Sequence, residues 1–293
     1  MSSAPGSRRL IVTADDFGLA VPVNEAVEGA FRRGILTGAS LMVAGAAAAD
    51  AIERARRLEG LEVGLHLVLV NGRPVLPASE VPDLVDPDGR FPRNEVAQGI
   101  RIFLNPAARR QMEAEVRAQF EAFRQTGLPL GHVDGHHHFH QHPAVLSLLL
   151  RMRREFGLAT VRVPFEPFRP SWRSQGDKLL PRFFNSLFHF RRTRHMKARL
   201  RAAGLVCNDV VFGLNDSGGM VEARVLKFLE HLPEGVSELY CHPATRRWDG
   251  VDAFDQGYRC VEEFLAVSSQ EVRAQADRLG IQRVSFAALA SGS

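Results

Sequence analysis

Short β-like apolar runs alternate with longer helical ones from residue 9 almost to the end of the chain, and this alternation limits the fold more than any other feature. RLIVTA (9–14) reads as a buried strand. VNEAVEGAFRRG (23–34) then spaces its apolar residues three or four apart and ends on Gly34, where a helix C-cap belongs. GASLMVAG (38–45) and LEVGLHLVL (61–69) are further strand candidates, separated by a helix from Ala47 to Leu58. The stretch 105–127 opens on Asn-Pro, closes on Gly and is the clearest helix. LGHVDGH (130–136) precedes a helix over 143–156. LATVRVP (158–164), NDVVFGL (208–214), GVSELYCHP (235–243) and GIQRVSF (280–286) complete the strands, with helices over 222–232 and 270–279.

Seven or eight strands in such alternation imply a parallel sheet with right-handed crossovers. The expected fold class is α/β: a (β/α) barrel-like fold, mostly parallel, distorted or incomplete, with long loops over the active-site face. The Pro-rich stretches 71–93 and 164–182 read as those loops. With no repeat or linker in 293 residues, a single domain is expected over 1–293, with 1–8 as a flexible arm and 165–205 as a basic and aromatic insertion near the site.

Composition narrows the class. Hydrophobic residues make up 45% and charged residues 24%, as in soluble globular proteins. A net charge of +4 without interleaved aromatic and basic blocks does not argue for nucleic acid. The three cysteines show no CxxC spacing, and the first residues lack a secretory pattern, so a cytoplasmic protein with reduced thiols is expected.

Chemistry in parallel α/β folds gathers at the carboxyl ends of the strands. Strand 9–14 ends on Asp15 and Asp16, strand 61–69 carries His66, and strand 130–136 runs into Asp134, His136 and His138. The strand at 158–164 carries Arg162, and 235–243 ends on His242 and Pro243. Singly, each has an ordinary reading as a cap, a turn residue or a bonded core histidine. Together they put acidic and imidazole groups on one rim. Two imidazoles and a carboxylate hold a divalent ion and leave positions open for water and substrate. A second carboxylate beside the ligand carboxylate is then free to act as a base. Six of the eleven histidines lie in HVDGHHHFHQHP (132–143), a run too central to be a tag.

TADDFGL (13–19), GLHLVL (64–69), HVDGHHHFHQHP (132–143) and CHPA (241–244), in that order, resemble the YdjC-like carbohydrate deacetylases, most closely the members associated with hopanoid biosynthesis. The similarity runs from Leu10 to about Phe286. It implies a metal-dependent hydrolase that removes acetyl from an N-acetylated sugar, with Asp16, His66 and His136 as ligands of one divalent cation (magnesium or zinc). It also implies Asp15 as catalytic base and His242 as the late histidine, which would protonate the leaving nitrogen. Asp134 and His138 would support a ligand or the substrate. Arg162 could hold Asp15 ionised or be a structural arginine. The chain departs from the family at Gly135, where Ser is usual, and at Ala244, where Gly is usual; neither change removes a ligand.

Phe183, Phe184, Leu187, Phe188 and Phe190 precede a dense Arg/Lys run ending near residue 204. Either 180–204 is a helix whose aromatic face packs on the barrel with its arginines in water, or it touches anionic lipid at the inner membrane surface and admits a hopanoid-type glycolipid. A homodimer is also compatible with the sequence. The rival functions are a metal-dependent phosphoesterase or other amidohydrolase, and a non-catalytic metal binder. A catalytic site calls for one ion per chain held in part by Asp16 and His66, a chelating run for several weak ions.

Overall fold

The computed structural model describes residues 7–291. The first half runs β1 (Arg8–Phe17), α1 (Val21–Arg33), β2 (Gly38–Leu41), α2 (Ala48–Arg57), β3 (Glu62–Leu67), α3 (Glu95–Leu104), α4 (Pro106–Gln125) and β4 (Val133–Gly135). A 3-10 turn (His136–Gln141) leads into α5 (Pro143–Met152), α6 (Phe168–Gln175) and α7 (Leu179–Ala202). The rest is β5 (Val210–Phe212), α8 (Glu222–Glu230), β6 (Gly235–Cys241), α9 (Cys260–Ser268), α10 (Gln270–Arg278), β7 (Gln282–Arg283) and α11 (Phe286–Ser291).

All the pairings are parallel, in the order β4-β3-β2-β1-β6-β5, with β7 pairing the start of β1. The sheet curls into a half-barrel with helices around it. β1 is its spine: every residue from Leu10 to Phe17 is buried, because this strand has a neighbour on either side and packing on both faces.

Some expectations change. The run at 158–164 is not a regular strand; it makes only single bridges, Val133 to Val161 and Thr160 to Val206. The expected loop at 164–182 holds α6 and the start of α7, while 71–93 is irregular as expected. Helices α3, α9 and α11 were not expected. Most of the proposed flexible arm lies outside the described residues, but Arg8 opens β1 and donates to the Leu279 carbonyl. Gly34 does cap α1, though not through a left-handed turn: its φ is −110°. A Cβ there would meet the Val267 carbonyl oxygen at 1.8 Å, so close approach of α9 demands glycine.

Helix α4 shows how the loops are set over the rim. Asn105 caps it, its side chain accepting from Ala107 N at 2.8 Å, and Pro106 fills the first turn. Its buried face carries Glu115 and Gln119 among the apolar residues. Gln119 exchanges hydrogen bonds with Val68, and Glu115 accepts from Val75 and Leu76 N, which pins the start of the long loop.

Candidate metal and catalytic site

The two carboxylates at the end of β1 diverge because the strand is irregular there. Pairing with β2 slips between Ala14 and Phe17, and Asp16 takes a left-handed φ of 62°, which Asp tolerates better than most residues. Asp16 Oδ1 lies 3.0 Å from His136 Nδ1 and 3.3 Å from His66 Nε2. Asp15 instead meets Arg162, whose Nη1 and Nη2 donate to its two oxygens at 2.7 and 2.8 Å. Sheet register supplies the neighbours. His66 on β3 pairs with Asp134 on β4, and His66 Nδ1 donates to Asp134 Oδ1 at 2.8 Å. That bond fixes the ring and leaves Nε2 for a ligand. The β1–β6 register ends at Ala14 opposite Cys241, one step before Asp15 and His242.

Among the described residues, two sets of donor atoms are close enough to hold an ion: Asp16, His66 and His136, or Asp15, His66 and Asp134. The first fits better. Asp15 and Asp134 both already pair with Arg162, Asp134 at 2.7 Å. Asp16 Oδ1, by contrast, is buried with no well-formed hydrogen bond among the described residues, although two imidazole nitrogens face it. A buried carboxylate oxygen with only imidazole nitrogens around it suits a cation. Burial alone would raise the Asp16 pKa, but His136 and His66 outweigh it and hold the carboxyl well below its usual range. Burial opposes a charge on His66 too, yet Asp134 and Asp16 push it up to about 10.

Beneath the rim the link between Arg162 and Asp15 extends into a buried charge network. Arg162, fully buried, also bonds Glu238 through Nε at 2.9 Å, and its guanidinium stands 5.1 Å from the centre of the Tyr240 ring. Burial disfavours its charge, but Asp134, Asp15 and Glu238 hold its pKa well above the usual value. Ser40 donates to Asp134 at 2.8 Å and lies 3.0 Å from His132, which in turn meets Glu62 at 2.9 Å. A Cβ on Gly64 would strike the His132 ring at 2.4 Å, so this packing depends on glycine. Glu263 on α9 accepts from the His242 backbone N. Only neighbouring strands or helices reveal these partners.

The histidine run divides its labour. His138 does not extend the face of His136, because β4 stops at Gly135 and both His137 and His138 have positive φ, 51° and 54°. His138 turns to Tyr240, with Nε2 3.3 Å from its hydroxyl. His140 bonds the Arg162 carbonyl at 3.0 Å, and His142 caps α5. Gly135 lies against His140, where a Cβ would come within 3.2 Å, and Ala244 is buried beside Val23 and Cys260. His137 lines a cavity of about 1070 Å³ together with Asp15, Asp16, His66, His136, His138 and His242. His242 has a buried Nδ1 with no partner among the described residues, and its ring stands among Tyr240, Phe254 and Tyr258.

The family model for YdjC-like proteins matches residues 9–278. The chain belongs to the YdjC-like family. Among its relatives, a carbohydrate deacetylase of Geobacillus stearothermophilus is 29% identical over 95% of this chain and 97% of its own length. The mouse carbohydrate deacetylase is 32% identical over 94% of this chain and 92% of its own. One from Brevibacillus brevis reaches 41% identity, but over 54% of this chain, which spans 60% of that relative's length. The YdjC-like chain also shares its fold with a crystal structure from Enterococcus faecalis V583 ascribed to cellobiose-phosphate cleavage. That match has a TM-score of 0.74 at 24% identity, covering 97% of this chain and 99% of that one.

Proposed function

We propose that this YdjC-like protein is a metal-dependent hydrolase that removes the N-acetyl group from an amino sugar, one carried on a hopanoid-type glycolipid. The observation that carries the reading is the split between adjacent carboxylates: Asp16 faces two imidazoles while Asp15 is gripped by Arg162 in the same cavity. End-to-end similarity to carbohydrate deacetylases supports the substrate class.

Asp16, His66 and His136 would hold the cation. When bound, a divalent ion supplies Lewis acidity, polarising the acetyl carbonyl and acidifying water. Asp15 accepts the proton of the attacking water, its carboxylate plane fixed by the two Arg162 bonds. His242, one register step away across β1 and β6, donates a proton to the sugar nitrogen, without which an amine leaves poorly. Asp134 orients His66, and His138 with Tyr240 presents polar atoms to the sugar. The histidine run thus contributes one ligand and several supports, which separates the reading from a non-catalytic chelating loop.

The test is acetate release from N-acetylglucosamine-bearing glycolipids and chito-oligosaccharides, followed by mass spectrometry. Metal-stripped protein should be inactive and recover with one divalent ion per chain. Asp15→Asn should lower kcat by about 10²- to 10⁴-fold while still binding metal. Full activity in that variant, or turnover of phosphate esters in place of amides, overturns the assignment.

A further inference from the structure

Two helices border the mouth of the cavity with apolar side chains in water. On α3 these are Val96, Ile100, Phe103 and Leu104; all four line the cavity, and Leu104 is 70% exposed. On α7, Leu180, Phe183, Phe184, Leu187 and Phe188 recur at three- and four-residue steps, with Phe188 lining the cavity and 74% exposed. The residues α7 does bury are Arg182, Thr193, Met196 and Leu200. The expectation that its aromatic face packs on the barrel is met only at the edges of that face, where Phe183 meets Phe168 and Phe190 meets Phe165.

Nor is the stripe left over from a loosely held helix. Arg182 locks the start of α7 to Asp216 and to Ser171 of α6, with bonds of 2.8 Å to each. The core takes its anchors from other faces of the helix and leaves the apolar stripe outside. A paired exposure at one opening exceeds the scattered apolar residues of an ordinary surface. Beyond the stripe, Arg191 and Arg194 are exposed and carry no ion pair among the described residues. Aromatic and aliphatic side chains bordered by free cations match the interface of a bilayer that carries acidic headgroups. No helix among the described residues is long and apolar enough to cross a membrane.

We propose that the cavity mouth is a docking face for an anionic lipid bilayer, with α3 and α7 as two apolar jaws and the basic turns of α7 as their electrostatic guide. The jaws enter the headgroup boundary, Arg191 and Arg194 meet acidic headgroups, and the cavity opens towards the membrane. The face rests on the proposed function only in that the cavity it surrounds is the catalytic one.

Co-sedimentation with vesicles, without substrate, keeps the two claims apart. Binding to phosphatidylcholine vesicles containing phosphatidylglycerol should exceed binding to phosphatidylcholine alone and weaken at high salt. Ile100→Ser with Phe103→Ser, and separately Leu180→Ser with Phe184→Ser, should each weaken partition at least about tenfold at unchanged Tm. Arg191→Glu with Arg194→Glu should remove the preference for the acidic lipid. Leu180→Ser with Phe184→Ser should deacetylate a soluble chito-oligosaccharide at the normal rate. Wild type that stays in the supernatant at low salt overturns the proposal, as do jaw variants that sediment like wild type. Wild type that dimerises through these residues in sedimentation equilibrium and ignores vesicles overturns it in favour of a second copy. Vesicle binding by a protein that releases no acetate would keep the docking face and remove the proposed function.

Discussion

At the scale of single residues, the site turns on one arginine. Arg162, fully buried, balances Asp15, Asp134 and Glu238, and its backbone carbonyl also receives His140. Replacing it leaves buried carboxylates without a counter-charge, which costs more than the pairing itself contributes. Arg162→Gln should lower unfolding stability by about 3–5 kcal/mol in urea titrations of the metal-free protein. A loss below about 1 kcal/mol would show that the carboxylates find another partner. Candidate residues such as Asp16, His66 and His242 were legible because each lies in or just after a β-like run in the sequence. The bond of Arg162 to Asp15 was among the readings of the sequence, but Asp134 and Glu238 were not: Glu238 reads as one more polar residue in a strand, and only the curl of the sheet brings it beside the arginine.

At the scale of elements, the runs β1, β3, α4 and β6 were readable because their apolar periods agree with what they bury. Helix α7 was readable as a helix but not in what it buries, since an ion network and a short apolar patch hold it in place of an aromatic face. The region 158–164 misled in the opposite direction: it is apolar enough for a strand, but Pro164 and the side chain of Asn208, bonded to Val163, take the place of ladder bonds. Helix α4 depends visibly on its cap. Asn105→Ala removes the acceptor for two amides and should cost about 0.5–2 kcal/mol in chemical denaturation. Faster hydrogen exchange in the loop at 68–76, which Glu115 and Gln119 hold, should accompany that loss.

For the whole molecule, the charge state of the rim couples metal, pH and stability. His66 has its pKa raised from 6.5 to about 10 in the metal-free fold. A raised folded value stabilises fully below the unfolded pKa and loses that contribution as pH climbs through the folded one. Metal-free protein should therefore lose stability across pH 6.5 to 10, measured as Tm at matched ionic strength. A cation needs the neutral imidazole, so loading it expels a proton and becomes easier over the same range. Calorimetry in buffers of different ionisation enthalpy should register about one proton released per ion. A Tm independent of pH in that window would mean that His66 is neutral already.

The position of β1 also orders events during synthesis. Asp16, His66 and His136 have all been made once residue 136 is joined, yet β6, which flanks β1 along most of its length, begins only at Gly235. A ribosome thus delivers the three residues proposed to hold the ion about a hundred residues before β1 gains its second neighbour, at the elongation pace of ~5–20 residues per second. An ion met in that interval finds a spine strand with one edge bare and no His242 above it.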